Sequence, residues 1–341
     1  MLLAESVLQG NRLALARLLT QIESETPEGI AALSELFPYT GQAHLIGVTG
    51  APGTGKSSLV NQLARCFRQP VACDGNEASE PCRVGVVAVD PSSPFSGGAI
   101  LGDRVRMRDL AGDPGVFIRS MASRGSLGGL ARATAGVVQA LDAAGYQVVI
   151  IETVGAGQSE VDIARLAHTT LVIEAPGLGD DIQAIKAGIL EIADVLVINK
   201  ADHAGVEATE RALRSMLQLG HPSRYEVQHH RSVESSALAA APVQDSPMWV
   251  PPICLTVAPE GKGIGELARA IAEHRQFLHT SGEWQQREHS RLRAEIDLLL
   301  GQMLMRRWQG SVSQDRYQAV LDEVFRHSLS PWQAVSQLIT C

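Results

Sequence analysis

The stretch HLIGVTGAPGTGKSSLV (residues 44–60) joins a short apolar run to a glycine-rich turn and then to an amphipathic pattern. The turn fits G-x-x-x-x-G-K-[ST], from Gly50 to Ser57. Glycine lets the backbone turn tightly, so its N–H groups can point at phosphate oxygens, and a following helix adds the positive end of its dipole. Because a strand leads in and a helix leads out, the stretch predicts a phosphate-binding loop.

The chemistry of this loop assigns roles to its residues. Lys56 is expected to reach the β- and γ-phosphates of a nucleotide, and the Ser57 hydroxyl to ligate Mg²⁺. The predicted contacts with the nucleotide are Gly50, Ala51, Pro52, Gly53, Thr54, Gly55, Lys56, Ser57 and Ser58.

Further short runs rich in β-branched residues repeat the design of the first apolar run. They cover residues 83–90, 146–153, 169–175, 194–200 and 251–257, and helix-like stretches separate them. Nearly continuous apolar runs are typical of parallel strands buried on both faces, and alternation with helices indicates a wound sheet. We therefore expect an α/β fold of the P-loop NTPase class, with a mostly parallel sheet flanked by helices.

Helical patterns without strands lie at both ends of the chain. The predicted organisation is an N-terminal helical extension (1–42), a nucleotide-binding domain (43–280) and a C-terminal helical region (281–341). The segment 283–309 predicts one long helix with an apolar stripe. That stripe has two interpretations, a dimerisation arm that meets a second copy or a face that packs back on the sheet. We favour the dimer.

The tetrapeptide Asn199-Lys200-Ala201-Asp202 follows a predicted buried strand, at the edge where open α/β sheets bind ligands. The Asp202 carboxylate can accept hydrogen bonds from the N1–H and 2-amino groups of guanine, and adenine offers neither donor on that edge. A desolvated carboxylate without those donors costs free energy, so the motif predicts a guanine nucleotide, GTP or GDP.

Two carboxylates at strand ends are candidates for the metal and the attacking water. Glu152, at the end of the run 146–153, can hold Mg²⁺ near the phosphate loop. Asp90 ends the run 83–90 and either faces the metal or only forms a turn before Pro91. The predicted catalytic set is Lys56, Asp90, Glu152 and Gln158, and the predicted metal ligands are Ser57, Asp90 and Glu152.

Charge and composition exclude other classes of protein. The chain of 341 residues has 29 basic and 37 acidic side chains, a net charge of −8, which argues against nucleic acid as a partner. No run approaches the ~18 apolar residues that span a bilayer. The start of the chain does not read as a signal peptide. Five scattered cysteines argue for the cytoplasm and against a disulfide framework. For Cys73 and Cys82 a bridge or a metal pair is an alternative, but we favour two unrelated thiols.

Five segments together carry a more specific resemblance. GVTGAPGTGKSSL, VAVDPSSPFSGGAILGDRVRM, VVIIETVGAGQSE, GDDIQAIKAGILEIAD and INKAD occur in that order, and DPSSPFSGGAILGD is the most specific part. In these segments, and over nearly its whole length, the chain resembles the methylmalonyl-CoA mutase-associated GTPases (MeaB/ArgK-like). The same family is also described as a lysine/arginine/ornithine transport ATPase or kinase.

The resemblance implies a homodimeric, Mg²⁺-dependent GTPase that chaperones an adenosylcobalamin-dependent mutase. GTP would gate cofactor loading, and adenosylcobalamin would be held only by the partner enzyme. Segments 91–108, 154–160 and 176–188 would be switches. Their glycines permit large backbone changes, although glycines also make ordinary tight turns. The switch and partner residues would be Asp103, Arg108, Asp180, Asp181 and Lys186.

The chain departs from the family after its last strand. Where relatives carry Ser-Ala-Leu, with backbone amides that meet guanine O6, this sequence has Thr256-Val257-Ala258-Pro259. A backbone contact from Ala258 can survive this change, whereas a contact from a serine hydroxyl cannot, so we expect base affinity or selectivity to be weakened. The nucleotide contacts predicted there are Val257, Ala258 and Pro259.

Two other functions are compatible with parts of the pattern. One is a kinase or ATPase linked to basic amino-acid transport, which the missing acceptor domain and the guanine motif disfavour. The other is a metal-insertion GTPase, for which His221, His229 and His230 match no firm ligand spacing.

Overall fold

The computed structural model describes residues 3–69, 81–91, 107–110, 112–123, 129–153, 164–177, 191–220 and 248–339. The chain divides into two compact units, Met1–His289 and Ser290–Cys341.

A seven-stranded sheet lies at the centre of the first unit. In chain order the strands are β1 (His44–Gly50), β2 (Val84–Pro91), β3 (Val116–Ser123), β4 (Val148–Thr153), β5 (Thr169–Glu174), β6 (Val195–Asn199) and β7 (Ile253–Thr256). Their spatial order is β3-β2-β4-β1-β5-β6-β7, and all six pairings are parallel. The expected wound sheet is therefore confirmed. The edge strand β3 was not among the sequence predictions.

Helices cover both faces of this sheet. They are α1 (Leu3–Leu8), α2 (Arg12–Glu23), α3 (Pro27–Leu36), α4 (Lys56–Phe67), α5 (Gly129–Ala143), α6 (Val206–Gly220) and α7 (Ile264–Ser281). One apolar core joins α1, α2, α3 and α5 to β1, β2 and β4, and a second core joins α4 and α7 to the opposite face. The N-terminal helices therefore share the core of the sheet.

The first two helices are separated where the sequence predicts a break. Gly10 has a φ of 80°, and the Asn11 side chain accepts hydrogen bonds from the amides of Leu13 and Ala14. Because an asparagine in this position satisfies otherwise unpaired amides, it fixes the start of α2.

Helix α8 (Glu283–Ser311) begins in the first unit and continues into the second. The second unit also contains α9 (Gln314–Phe325) and α10 (Pro331–Ile339). Its buried core is small, formed by Val320, Ala334 and Leu338, and the Trp308 indole donates a hydrogen bond of 2.9 Å to the Leu338 carbonyl.

A buried polar cluster lies at the edge of the sheet where β1, β5 and β6 begin. We call His44, His168, Thr169, Asp194 and His274 the histidine network. His44 Nε2 lies 2.7 Å from Thr169 Oγ1, which lies 2.9 Å from His274 Nδ1, and His274 Nε2 lies 3.3 Å from Asp194 Oδ1. Hydrogen bonds to polar neighbours make burial of such groups tolerable.

The first turns of α8 are attached to this network. Arg287 donates to both carboxylate oxygens of Asp194 at 2.8 Å and to the His168 carbonyl at 2.6 Å. Glu288 Oε1 lies 2.5 Å from His168 Nε2, and the Trp284 ring centroid lies 3.9 Å from that of His168. The long C-terminal helix is therefore fixed at its start to the base of the sheet.

Burial of Asp194 raises its pKa, but the hydrogen bonds and positive charge of Arg287, together with the neighbouring His274 ring, outweigh this, so the pKa lies well below its usual value. Burial, followed by the positive charge of His168, lowers the pKa of His44 well below 6.5. At neutral pH Asp194 is therefore an ionised carboxylate paired with Arg287, and the His44 imidazole is neutral.

The cysteines differ from the sequence prediction in one respect. Cys66 and Cys254 are free thiols, but Cys82, just before β2, is disulfide-bonded. The interpretation of Cys82 as an unrelated thiol is therefore wrong. Burial, with the nearby charges of Glu266 and Glu273, raises the pKa of the Cys254 thiol to about 11, so that thiol is unreactive at neutral pH.

Among the helices described, none is both long and apolar enough to cross a membrane.

Candidate nucleotide site

The phosphate loop follows β1, which pairs with β4 on one side and β5 on the other. The strands β2, β3 and β4 lie on one side of β1, and β5, β6 and β7 lie on its other side, so the order of the strands reverses at β1. Crevices at the carboxyl ends of strands beside such a switch point are where open α/β sheets bind ligands. Glu152 in β4, Asn199 at the end of β6 and Thr256 at the end of β7 lie at the same edge.

Two glycines of the loop have no room for a side chain. A Cβ on Gly50, whose φ is 142°, would lie 2.1 Å from the Ile173 carbonyl oxygen of β5. A Cβ on Gly55, whose φ is 89°, would lie 2.5 Å from Asn199 Nδ2. Both the backbone conformation and the close neighbours therefore require glycine at these positions.

Helix α4 begins directly after the loop. Its N-cap, Gly55, provides no side-chain hydrogen bond to the first turn, so the amides there can face an anion. The Lys56 ammonium group is buried and donates to the carbonyls of Gly50 at 2.7 Å and Ala51 at 3.0 Å. The positive charge therefore lies inside the loop, where a phosphate chain would be bound.

Ser57 and Glu152 come together as the sequence predicts. The buried Ser57 hydroxyl donates a hydrogen bond of 2.6 Å to Glu152 Oε1. Both groups offer the hard oxygen ligands that Mg²⁺ prefers, and Mg²⁺ commonly takes only one or two protein ligands beside phosphates and water. Among the described residues, no group of three or more His, Cys, Asp or Glu side chains is arranged so that it could hold a metal ion. The pair fits a phosphate-bound Mg²⁺ rather than a metal caged by protein.

Asn199 connects the phosphate loop to the loop after β7. Its Nδ2 donates to the Thr54 carbonyl at 2.8 Å, and its Oδ1 accepts from the Thr256 hydroxyl and the Ala258 amide, each at 3.1 Å. The side chain is 1% exposed. The buried Asn199 amide thus fixes the phosphate loop relative to the loop after β7.

The residues that follow Asn199 turn away from the sheet. Lys200 has a φ of 58°, which is uncommon for a residue with a side chain. The turn is held by hydrogen bonds from Ala201 N to Thr256 O (3.0 Å) and from His203 N to Lys200 O (2.9 Å). Asp202 is half exposed, so its carboxylate is open to a base.

The loop after β7 forms a compact turn. Val257 and Lys262 make an antiparallel bridge around a 3-10 turn, Ala258–Glu260. Pro259 lies within that turn and has no N–H group. This loop is predicted from the sequence, but the hydrogen bond from the Thr256 hydroxyl to Asn199 is not. The only sign of this contact in the sequence is that Thr256 lies near the end of one predicted strand and Asn199 near the end of the strand before it.

Several predicted residues lie outside the described part of the chain. These are Gln158, Asp103, Asp180, Asp181 and Lys186, with His221, His229 and His230. Asp90 is the next-to-last residue of β2 and Arg108 begins a 3-10 turn, Arg108–Leu110, but neither side chain is described.

A family model described as methylmalonyl Co-A mutase-associated GTPase MeaB matches residues 15–312. A putative GTPase of Pyrococcus abyssi is 40% identical over 337 residues, covering 99% of this chain and 95% of that protein. GTPase ArgK of Escherichia coli is 37% identical over 294 residues, covering 83% of this chain and 79% of ArgK.

A methylmalonic aciduria type A homolog from the mitochondria of Caenorhabditis elegans is 34% identical over 255 residues, covering 69% of this chain and 61% of that protein. Among solved structures, one described as a LAO/AO transport system kinase matches with a TM-score of 0.65 and 27% identity. It covers 98% of this chain and 95% of the other.

Proposed function

Because the chain belongs to the methylmalonyl-CoA mutase-associated GTPase family, we propose that it is a GTP-hydrolysing chaperone of an adenosylcobalamin-dependent mutase in the cytoplasm. The observation that carries the GTPase part is the Asn199 side chain, which joins a phosphate loop to a base-binding turn through three hydrogen bonds. A loop that only turned the chain would need no such connection.

Catalysis in this site is expected to depend on position and electrostatics, because phosphoryl transfer needs little covalent help from the protein. Lys56 and the first amides of α4 supply positive charge for the phosphates. Ser57 and Glu152 would hold Mg²⁺, which supplies further neutralisation of the phosphate charge when bound. We keep Gln158 as the candidate that orients the attacking water, and Asp90 as a second carboxylate near the metal.

The mutase is proposed from family membership and from the similarity to the methylmalonic aciduria type A homolog of Caenorhabditis elegans. GTP binding and hydrolysis would gate the loading and exchange of the cobalamin cofactor on the partner. Segments 91–108, 154–160 and 176–188, with Asp103, Arg108, Asp180, Asp181 and Lys186, would contact or sense the partner. The cofactor would not bind the chaperone alone.

The test measures GTP turnover with and without a purified methylmalonyl-CoA mutase. We expect the wild-type rate to change when the mutase is added, and Lys56→Ala and Asp202→Asn to abolish the response. Arg214→Ala, on the exposed surface of α6, is the control and should behave as wild type. A wild-type rate that no mutase changes, together with no binding, would refute the chaperone role.

A kinase is the second candidate, because the matching solved structure is described as a transport system kinase. It predicts transfer of labelled γ-phosphate to a protein at a rate that rivals hydrolysis. We expect release of inorganic phosphate instead, since the base-binding motif selects GTP. A metal-insertion GTPase would bind nickel, cobalt or zinc in equilibrium dialysis, and we expect no stoichiometric binding.

A further inference from the structure

The pairing between β1 and β4 ends before either strand does. Their backbone register closes with Val48 beside Glu152. Beyond that pair, β1 stays paired with β5 as far as Gly50, and β4 stays paired with β2 through Thr153. The two strands therefore part at the edge of the sheet that carries the phosphate loop, and Glu152 lies in the last residue pair that joins them.

Two buried hydroxyl groups join the strands at the point where they part. Thr153 Oγ1 lies 3.3 Å from Thr49 Oγ1 and 3.5 Å from the Val48 carbonyl oxygen. Both distances exceed the ~2.8 Å that is typical of a hydroxyl hydrogen bond, which fits one Thr153 proton shared between two acceptors. Because Thr153 is 1% exposed and Thr49 is fully buried, the contacts lie away from solvent, where an unpaired hydroxyl costs free energy.

The hydroxyl pair and the site carboxylate lie on opposite faces of one strand end. Glu152 faces α4, where it accepts a hydrogen bond from the Ser57 hydroxyl at 2.6 Å. Side chains alternate along a strand, so Thr153 faces the other way, as Val149 and Ile151 of β4 do. Glu152 and Thr153 are neighbours in the chain, so a movement of Thr153 away from β1 also moves Glu152 away from Ser57.

We propose that Thr153 is a positioning residue for GTP hydrolysis, because its hydroxyl contact with Thr49 holds the end of β4 beside the strand that carries the phosphate loop. Glu152 on β4 and Ser57 after the loop then keep the spacing that Mg²⁺, which demands near-ideal geometry, requires of its ligands. Thr153 acts through Glu152 and not on the nucleotide. The proposal rests on the proposed GTPase activity.

The double variant Thr49→Val with Thr153→Val separates positioning from packing. Valine has nearly the shape of threonine, and removing both hydroxyls together leaves neither unpaired, so the urea midpoint should stay close to that of wild type. GTP hydrolysis is measured against the concentrations of GTP and Mg²⁺. We expect kcat to fall at least about tenfold, KM for GTP to stay within about threefold, and half-maximal hydrolysis to need more Mg²⁺.

Two further variants control this experiment. Thr49→Ser with Thr153→Ser keeps both hydroxyls and removes two methyl groups, so it should recover most of the rate, which a role in packing would not allow. Thr209→Val removes another buried threonine hydroxyl, which donates to the Gly205 carbonyl at 3.3 Å on α6. It should hydrolyse GTP as wild type does.

The valine pair decides between the outcomes. Hydrolysis within about twofold of wild type at the same Mg²⁺ demand would overturn the proposal, as would a serine pair no faster than the valine pair. A lowered urea midpoint in the valine pair would assign the hydroxyls to stability and would also overturn it. Failure of the proposed function has a different signature, because wild type itself would then not hydrolyse GTP.

Discussion

Gly53 and Gly55 can be compared directly, because their backbones are similar and their surroundings differ. Their φ angles are 83° and 89°, but a Cβ on Gly53 meets no atom within 4 Å, whereas one on Gly55 lies 2.5 Å from Asn199 Nδ2. We expect Gly53→Ala to lower the free energy of unfolding by about 1 kcal/mol through backbone strain alone. Gly55→Ala should cost about 3 kcal/mol, because it also displaces Asn199.

Urea unfolding without nucleotide measures this difference, and Gly53→Ala is the control for strain. Equal losses in the two variants would mean that Asn199 does not need its contact with Thr54 for stability.

Ser57 is the residue with which to test the metal site. Ser57→Ala removes one oxygen ligand and the donor to Glu152 Oε1, so the Mg²⁺ concentration needed for half-maximal GTP hydrolysis should rise at least about tenfold. A magnesium titration of the hydrolysis rate measures it. Ser215→Ala, at an exposed position on α6, should leave the titration unchanged, and an unchanged titration in Ser57→Ala would exclude this residue as a ligand.

For single residues, the sequence predicts which side chains form the site better than it predicts the hydrogen bonds between them. Lys56, Ser57, Glu152 and Asn199 lie at the expected sheet edge, because motif and strand end determine both residue type and place. The contact from Thr256 to Asn199 joins residues 57 positions apart. It depends on the pairing of β6 with β7, which no local pattern reveals.

Among the elements, the attachment of α8 to the sheet depends on Arg287 and Asp194. Asp194 is buried, and Arg287 donates to both of its oxygens. Arg287→Met leaves a buried carboxylate without its main partner, so we expect it to lower the free energy of unfolding by about 3–5 kcal/mol. Denaturant unfolding at pH 7.5 measures this loss.

The matched control is Arg214→Met, which breaks an exposed pair with Glu210 on α6. Its cost should stay below about 0.5 kcal/mol. The double variant Asp194→Asn with Arg287→Met should recover part of the loss, because the buried group is then neutral. No recovery would show that the arginine acts by packing rather than by charge.

The histidine network predicts loss of stability in mild acid. The pKa of His44 in the folded protein is lowered by burial and by His168, Arg275, His274 and His279. The unfolded chain, with a histidine pKa of about 6.5, therefore binds more protons below that pH. Stability is full above pH 6.5 and falls as the pH falls, and the lowered pKa of Asp194 adds a second loss below about pH 4.

Urea unfolding at pH 7.5, 6.0 and 5.0 measures this dependence. His44→Gln keeps a polar group near Thr169 but cannot be protonated, so its stability should change less between pH 7.5 and 5.0. Identical slopes for wild type and variant would assign the effect to other groups.

The composition of the edge strand β3 explains why this strand is not predicted from the sequence. In VFIRSMAS only the first three residues form an apolar run, and Arg119 and Ser120 interrupt it. An edge strand pairs on one side only and needs less apolar surface than a central one. The central strands β1, β4, β5 and β6 are almost fully buried, and their continuous apolar runs were therefore visible in the sequence.

At the scale of the whole molecule, we propose that two chains associate through the C-terminal helices. Within α8 the side chains of Ile296, Leu300, Met303 and Leu304 are more than half exposed. Burial of such side chains against a second copy would stabilise a dimer. We expect twice the chain mass in light scattering, and the single-chain mass for Leu300→Glu with Met303→Glu.

Ser215→Glu adds the same type of charge on the surface of α6 and should remain dimeric. A wild-type protein with the mass of one chain would contradict the proposal, as would a dimer that the double variant leaves intact.

Strand β1 is seven residues long, with His44 of the histidine network at one end and Gly50 of the phosphate loop at the other. Unfolding of this central strand therefore opens both ends together. In solutions acid enough to populate unfolded chains, nucleotide binding draws them back to the folded state and releases the protons they had taken up. Nucleotide thus favours the folded state and protonation favours the unfolded state, although the two bind at different residues. The heat of nucleotide binding should therefore vary with the buffer that receives those protons.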